Sequence, residues 1–121
     1  MNQTALQFNP YRTGSDGAAQ DLMLVARLAD DLGYHTFFAG EAWGMDAITV
    51  LTWVAAHTER VRLGTTVLVL PYLNPLVLAK TLATLDVMSK GRLDVGVGVG
   101  ALKPESDALG SVYGTRGRYA D

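Results

Sequence analysis

Apolar positions along the chain switch between strand-like runs and helix-like spacing, and the switches fall at turn-forming residues. Ala5 to Phe8 is a short apolar run closed by Asn9-Pro10, which predicts a strand followed by a loop. Tyr11 to Gly17 reads as that loop, with Ser15 or Asp16 placed to cap a helix. From Ala18 to Leu32 the apolar residues Leu22, Val25, Leu28, Ala29 and Leu32 recur at helical spacing. Gly33 then supplies the left-handed residue that ends such a helix. Thr36 to Ala39 is β-branched, aromatic and apolar and predicts a second strand. After the loop Gly40 to Gly44, Asp46 can cap a second helix with the face Ile48, Leu51, Val54 and Ala55. Arg60 to Leu70 is a β-branched run that predicts a third strand buried on both faces. Asn74-Pro75 pairs a cap with proline at the first helical position. Leu76, Ala79, Leu82, Ala83 and Val87 carry that third helix to about Ser89. Arg92 to Val99 predicts a fourth strand, and Pro104 and Gly110 make the remainder mostly loop with one short helical turn.

The strand starts lie about 30 residues apart, the length of one βα unit. Right-handed crossovers place such strands parallel and side by side, in the order 1-2-3-4. The fold class is α/β, either an open doubly wound sheet or part of a barrel. A closed (β/α)8 barrel needs about 250 residues. On the barrel reading, residues 1–121 are one partial domain, the N-terminal half of the barrel, with the second half absent. Arg118-Tyr119-Ala120-Asp121 reads like the start of a further helix.

Composition narrows the function classes. Apolar residues make up 49 % and charged residues 18 %, which is the balance of a folded core and not of a disordered chain. Ten basic against twelve acidic residues give a net charge of −2, so no basic stripe is left to neutralise phosphates and no nucleic-acid partner is expected. Cysteine is absent, which excludes disulfides, thiolate metal sites and cysteine nucleophiles. His35 and His57 lie far apart and read as ordinary helix-flank residues, so no metal is expected. No apolar stretch approaches the roughly 20 residues of a membrane span, and no signal pattern opens the chain. A cytoplasmic protein without membrane contact is the expectation.

Four segments could carry chemistry. Gly96-Val97-Gly98-Val99-Gly100-Ala101 follows a strand and meets the loosest form of the dinucleotide fingerprint. That fingerprint needs a helix from its third glycine and an acid about 20 residues on; the more ordinary reading is a strand that lets something flat approach closely. Gly40 to Asp46 follows strand two, at the carboxyl end of the sheet where α/β proteins bind ligands. There Glu41 can bind or shuttle a proton and Trp43 can stack on a ring, while Asp46 is a helix cap. Thr65 and Thr66 place two hydroxyls in a buried strand, to be satisfied by backbone or by a ligand. Asp86, near the end of helix three, faces an unfavourable helix dipole and should pair with Arg92 or Arg62 in a structural clasp. Lys80 interrupts an apolar face and reaches solvent.

These residues, taken in order, resemble the N-terminal half of the luciferase-like monooxygenase family. The matching stretches are Ala29 to Tyr34, Gly40 to Asp46, Thr58 to Thr65, Asn74-Pro75 with Ala79-Lys80, Leu85 to Arg92, Gly96 to Gly100 and Ala108-Leu109-Gly110. The resemblance implies a (β/α)8 barrel and a redox enzyme that transfers a hydride between a bound flavin or deazaflavin and a small organic substrate. Gly-Glu-Ala-Trp-Gly followed by Asp-Ala looks like the coenzyme F-420 members. Oxygen-using members tend to carry histidine where this chain has Ala42, so F-420 is favoured, with flavin mononucleotide (FMN) and oxygen-using chemistry as the alternative. The resemblance puts Glu41 at the ring edge as the catalytic candidate. It puts Thr65, Thr66, Val67, Gly98, Gly100 and Trp43 around the ring, with a non-proline cis peptide at Thr66-Val67. It also implies a homodimer through the helices at about 46–58 and 75–89. Two other classes stay open: a non-catalytic dimerising α/β module, and a small open-sheet nucleotide-binding domain. A strand order that reverses would favour the last.

Overall fold

The computed structural model describes residues 4–8, 18–41 and 43–119. The expected caps at Ser15 or Asp16, and Ala42, lie outside them. Strand β1 (Ala5–Phe8), helix α1 (Ala18–Asp31), strand β2 (Thr36–Ala39), helix α2 (Ala47–His57) and strand β3 (Arg62–Thr65) follow in turn. Next come β4 (Leu68–Val69), a 3-10 turn (Leu70–Tyr72), α3 (Pro75–Met88), β5 (Leu93–Asp94), β6 (Val97–Gly98), α4 (Lys103–Ala108) and a 3-10 segment (Tyr113–Tyr119). All strand pairs are parallel. One sheet has the order β1-β2-β3-β5, and β4 pairs with β6 beyond its carboxyl edge. Strands three and four of the sequence pattern are therefore each broken in two, at Thr66-Val67 and at Val95-Gly96. Counted as single strands, the order runs 1-2-3-4 without reversal, as in a barrel. The open-sheet reading loses its support, and the helix after the glycine run starts at Lys103 and not at Gly98.

The local signals explain most boundaries. Asp46 Oδ2 accepts from the Thr49 N–H at 2.6 Å, and Asn74 Oδ1 accepts from those of Leu76 and Val77 with Pro75 behind it. Each satisfies amides that a helix start leaves unpaired. Gly33 ends α1 with φ +74°. The 103–119 stretch is more helical than expected, because Pro104 sits at the start of α4, where its missing N–H costs nothing.

The core lies between the sheet and the helices, with Phe37, Leu51, Val54, Leu63 and Leu68 fully buried. Burying each such side chain contributes about 1.5–3 kcal/mol. Helix α2 buries Ala47, Val50, Leu51 and Val54, so Ile48 and Ala55 only flank its inner face. Two other helix faces are rotated from the sequence expectation. On α1, Leu22, Ala26, Ala29 and Asp30 are buried, while Leu28 and Leu32 are exposed. On α3, Leu78 and Leu85 face the core and Leu76 and Val87 are about four-fifths exposed. Lys80 is exposed, as expected.

Candidate active site at the carboxyl ends of the strands

Glu41 stands two residues beyond β2. Its N–H donates to the Val67 carbonyl at 3.1 Å, and the Thr66 N–H donates to the Ala39 carbonyl at 2.9 Å. The loop that carries Glu41 is thus tied to the break in strand three, where the Thr66-Val67 peptide is cis at the position the resemblance implied. Glu41 Oε2 accepts from the N–H of Ala47, the first residue of α2, at 3.2 Å. Burial pushes the Glu41 carboxyl above the ordinary glutamate range; the Ala47 N–H opposes this, and the negative charges of Asp46 and Glu105 add to it. A carboxyl held up in this way can hand over or take a proton closer to neutral pH.

The other expected site residues divide. Thr66 is exposed, Val67 is 38 % exposed and Trp43 is 55 % exposed, so all three can meet a ligand. Thr65 cannot do so through its hydroxyl. It is buried; its Oγ1 donates to the Gly96 carbonyl at 2.7 Å and accepts from the Gly96 N–H at 2.8 Å. It joins strands three and four where both break, so its hydroxyl is committed within the protein. Gly98 and Gly100 are close-approach positions, but towards protein atoms. A Cβ on Gly98 would lie 2.6 Å from Val67 Cγ2, and one on Gly100, at φ +78°, would lie 3.0 Å from the Tyr72 hydroxyl oxygen. Gly98 therefore lets Val67 take its place at the strand ends, and Val97 beside it is half exposed.

Behind this surface lies a polar group that sequence reasoning missed. Tyr72, in the turn after β4, donates its hydroxyl to Glu105 Oε2 at 3.2 Å and lies 3.3 Å from Ser106 Oγ. Glu105 and Ser106 are almost completely buried at the start of α4. The sequence pattern made the Pro104 segment mostly loop, and the partner of Glu105 is 33 residues away in the chain.

The opposite ends of the strands are locked by charge. Asp30 accepts from the N–H groups of Glu59, Arg60 and Val61 at 3.0, 2.9 and 2.6 Å. Burial alone would raise its carboxyl, but the three amides together with the Arg60 charge hold it below the ordinary aspartate range. The Arg92 guanidinium donates to Ser89 O, Thr58 Oγ1, Val61 O and Ala55 O. Arg62 forms a two-pronged pair with Asp94 at 2.6 and 2.7 Å. Asp86 forms an ion pair with neither arginine, which corrects the expected clasp: Arg62 is turned to Asp94, and Arg92 to Ser89, Thr58, Val61 and Ala55. His35 Nδ1 meets the Thr36 hydroxyl, and His57 packs on Trp53 and bonds its carbonyl. Among the described residues no group of three or more His, Cys, Asp or Glu could hold a metal, and no helix is long and apolar enough to cross a membrane. An apolar groove of about 900 Å³ lies between the helices, lined among others by Leu22, Met45, Ile48, Trp53 and Leu73. It does not include Glu41 or the strand ends, and its size comes from the gap between helices rather than from any convergence of polar groups.

A parallel α/β sheet whose strands keep the order of the chain is the arrangement of a partial (β/α)8 barrel. The chain belongs to the luciferase-like monooxygenase family, whose model matches residues 4–121. It is 48 % identical over 71 residues, 59 % of its length and 20 % of the relative's, to a Mycobacterium tuberculosis protein provisionally named a coenzyme F-420-dependent oxidoreductase. It is 37 % identical over 97 residues to limonene 1,2-monooxygenase of Rhodococcus erythropolis, covering 75 % of this chain and 25 % of that one. The crystal structure of monooxygenase RslO1 from Streptomyces bottropensis superposes with a TM-score of 0.89 at 32 % identity, over 98 % of this chain and 39 % of that one. The chain thus spans a fifth to a quarter of the length of these curated relatives.

Proposed function

We propose that the chain carries the ring-binding half of a redox enzyme, in which bound coenzyme F-420 exchanges a hydride with a small organic substrate. The observation that carries this reading is the junction of Glu41 with the Val67 segment through the Glu41 N–H. It sets a proton-handling acid beside an apolar, partly exposed strand end. The surface fits a planar ring: Val67 and Val97 offer branched apolar contact, Trp43 offers an aromatic face, and Gly98 keeps the backbone low. Among the described residues, Arg116 is already engaged by the Gly100 carbonyl and the Tyr113 ring. When bound, the deazaflavin supplies the hydride chemistry. The residues of this chain orient it, shield one face from water and hold a proton at Glu41. FMN is the second reading, favoured by 32 % identity over 95 residues to the flavin-dependent trigonelline monooxygenase of Acinetobacter baylyi.

Absorbance titration of the purified chain with F-420 and, separately, with FMN tests the proposal. Saturable micromolar binding of F-420 supports it, binding of FMN alone shifts it to the second reading, and binding of neither overturns it. We further propose a homodimer through α2 and α3, whose outer faces expose Trp53, Leu76, Val77, Val87 and Met88. Light scattering on the eluting chain reads its mass directly, and a monomer at all concentrations removes that proposal.

A further inference from the structure

The sheet is covered on one face only. Its register sets Leu6, Phe37, Leu63 and Leu93 in one row, and Gln7, Phe38, Gly64 and Asp94 in the next. Successive residues of a strand point to opposite faces, so the two rows lie on different sides of the sheet. The first row packs against the helices as part of the core. The second row, among the described residues, contributes nothing to that core. Gln7 is exposed, and Phe38 is half-buried, its ring lying over Gly64 where no side chain would fit. Arg62 and Asp94 pair on the same open face, with side chains 35 % and 47 % exposed. Parallel sheets are almost always buried on both faces. The edges are open too: among the described residues, β1 and β5 each have a neighbour on one side only. Edge strands of stable monomers are blunted by charge, by proline or by a covering element. Here β1 reads Ala-Leu-Gln-Phe, β6 reads Val-Gly, and the one charge on β5, Asp94, is turned to Arg62.

We propose that this face and its two edges dock a second copy of the chain, so that two copies close one eight-stranded parallel barrel around a two-fold axis. Strand count and symmetry favour that occupant. Four parallel strands in chain order are half of the eight in such a barrel. A two-fold along the barrel axis keeps every strand parallel and sets β1 of each copy beside the fourth strand of the other. Both edges are then paired at once and the assembly closes, whereas pairing through one edge leaves the same edge free and grows without limit. Charge agrees: Arg62 and Asp94 on the open face are already bonded to each other, so closure buries no lone ion from this pair. Area agrees as well. The accessible surface is 7535 Å², about 1,200 Å² above the roughly 6,300 Å² of a folded monomer of 13.0 kDa. That excess is of the size one subunit gives up in a permanent dimer. Closure sets the carboxyl ends of both copies around one mouth, so each copy screens the other's candidate site from water. The exposed side of α2 and α3 lies outside the closed pair. This interface is therefore distinct from the helix contact proposed above, and it stands whether or not Glu41 handles a proton.

Leu76 is about four-fifths exposed on α3, so Leu76→Glu removes the helix contact and leaves the sheet untouched. Sedimentation equilibrium of this variant should give twice the 13.0 kDa of one chain. Gln7→Lys in the same background sets an unpaired charge inside the closed barrel and should weaken association at least about a hundredfold; Gln7→Leu should not weaken it. Gln7 is exposed, so far-ultraviolet circular dichroism of each variant should match that of the native chain. An equal mixture of isotope-labelled and unlabelled Leu76→Glu chain needs no substitution in the sheet, and nuclear Overhauser contacts between its copies should reach the Phe38 ring. A Leu76→Glu chain that is monomeric at every concentration overturns the proposal, as does a pair that Gln7→Lys leaves intact or one whose contacts bypass Phe38. Pairing by the native chain but not by Leu76→Glu keeps the helix contact and sinks this one. Failure of the F-420 and FMN titrations leaves the mass readout untouched, so the two readings fall separately.

Discussion

Loss of the Asp30 carboxylate should be among the most damaging single changes in the chain, although it lies at the end of the sheet away from the site. The carboxylate accepts three backbone N–H groups of the segment that leads into β3, at 2.6 to 3.0 Å. A hydrogen bond to an ionised acceptor contributes about 1.5–3 kcal/mol, and a buried donor left without one costs about 1–3 kcal/mol. Val61 is almost completely buried, so its N–H has no access to water, whereas Glu59 and Arg60 are exposed residues and recover part of their loss by hydration. Asp30→Ala should therefore cost about 3–4 kcal/mol. Asp30→Asn should cost about 1–2 kcal/mol. Its single carbonyl oxygen can replace Oδ1, which serves Arg60 and Val61, but its NH2 group would face the Glu59 N–H donor to donor. The pH dependence has a fixed sign. The folded-state pKa is lowered, so the stabilisation is present above the unfolded aspartate pKa and is lost as pH falls through the folded one. The stability gap between native chain and Asp30→Asn should be full above the unfolded aspartate pKa of about 3.9 and narrow as pH falls below it. Urea unfolding followed by far-ultraviolet circular dichroism measures both quantities. A cost for Asp30→Ala below about 1 kcal/mol, or a gap indifferent to pH, would refute the assignment of the three amides to this carboxylate.

Two further substitutions follow from the same geometry. Thr65→Val keeps shape but removes the hydroxyl that bridges Gly96; the Gly96 carbonyl keeps the Leu68 N–H at 2.9 Å, so only the Gly96 N–H is orphaned, for a cost of about 1–3 kcal/mol. Thermal melting reads the cost, and amide exchange at Gly96 should accelerate while that at Leu63 does not. Arg92→Lys should cost about 2–3 kcal/mol because one ammonium cannot reach four acceptors on three segments, whereas Arg62→Lys should cost less than about 1 kcal/mol because its pair with Asp94 is largely solvated. Equal costs from the two lysine variants in parallel urea titrations would contradict this ranking.

The parts of the fold that were legible in the sequence are those set by neighbouring residues. Asp46 and Asn74-Pro75 mark the helix starts because the groups they satisfy lie two or three residues away. Gly33 marks a helix end for the same reason. The two strand breaks were not legible. Arg60 to Leu70 is continuous in β propensity, and what interrupts it is a threonine hydroxyl bonded to a glycine 31 residues on. The inner face of α1 was misread at Leu28 and Leu32 because a charged residue, Asp30, takes the buried position. Nothing local says that three amides from residues 59–61 will satisfy it. The site shows the same division. Glu41 and Trp43 stood out by their place after a strand and Val67 by the family resemblance, but the bond that ties Glu41 to the Val67 carbonyl was not legible. The bonds of Thr65 to Gly96 and of Tyr72 to Glu105 were not legible, because the partners lie 31 and 33 residues apart in the chain.

The distribution of polar bonds along the strands explains why the carboxyl ends can be irregular. At the amino ends, Asp30, Arg92 and the Arg62–Asp94 pair bind α1, α2, α3, β3 and β5 to one another through charge-assisted bonds, several of them to backbone groups. These bonds fix the relative placement of the strands without help from the ladder further along. The ladder can then be broken at Thr66-Val67 and at Val95-Gly96, and Val67, Val95 and Val97 can be left partly exposed, without loss of register. Exposed branched apolar residues at broken strands are a liability in a domain whose stability is marginal. Here they coincide with the half-buried acid and with the glycine that gives Val67 its room. Apolar exposure, backbone irregularity and a perturbed carboxyl thus fall at one end of the sheet, and the stabilising charge networks fall at the other. That separation is what a ligand site built on a rigid frame requires.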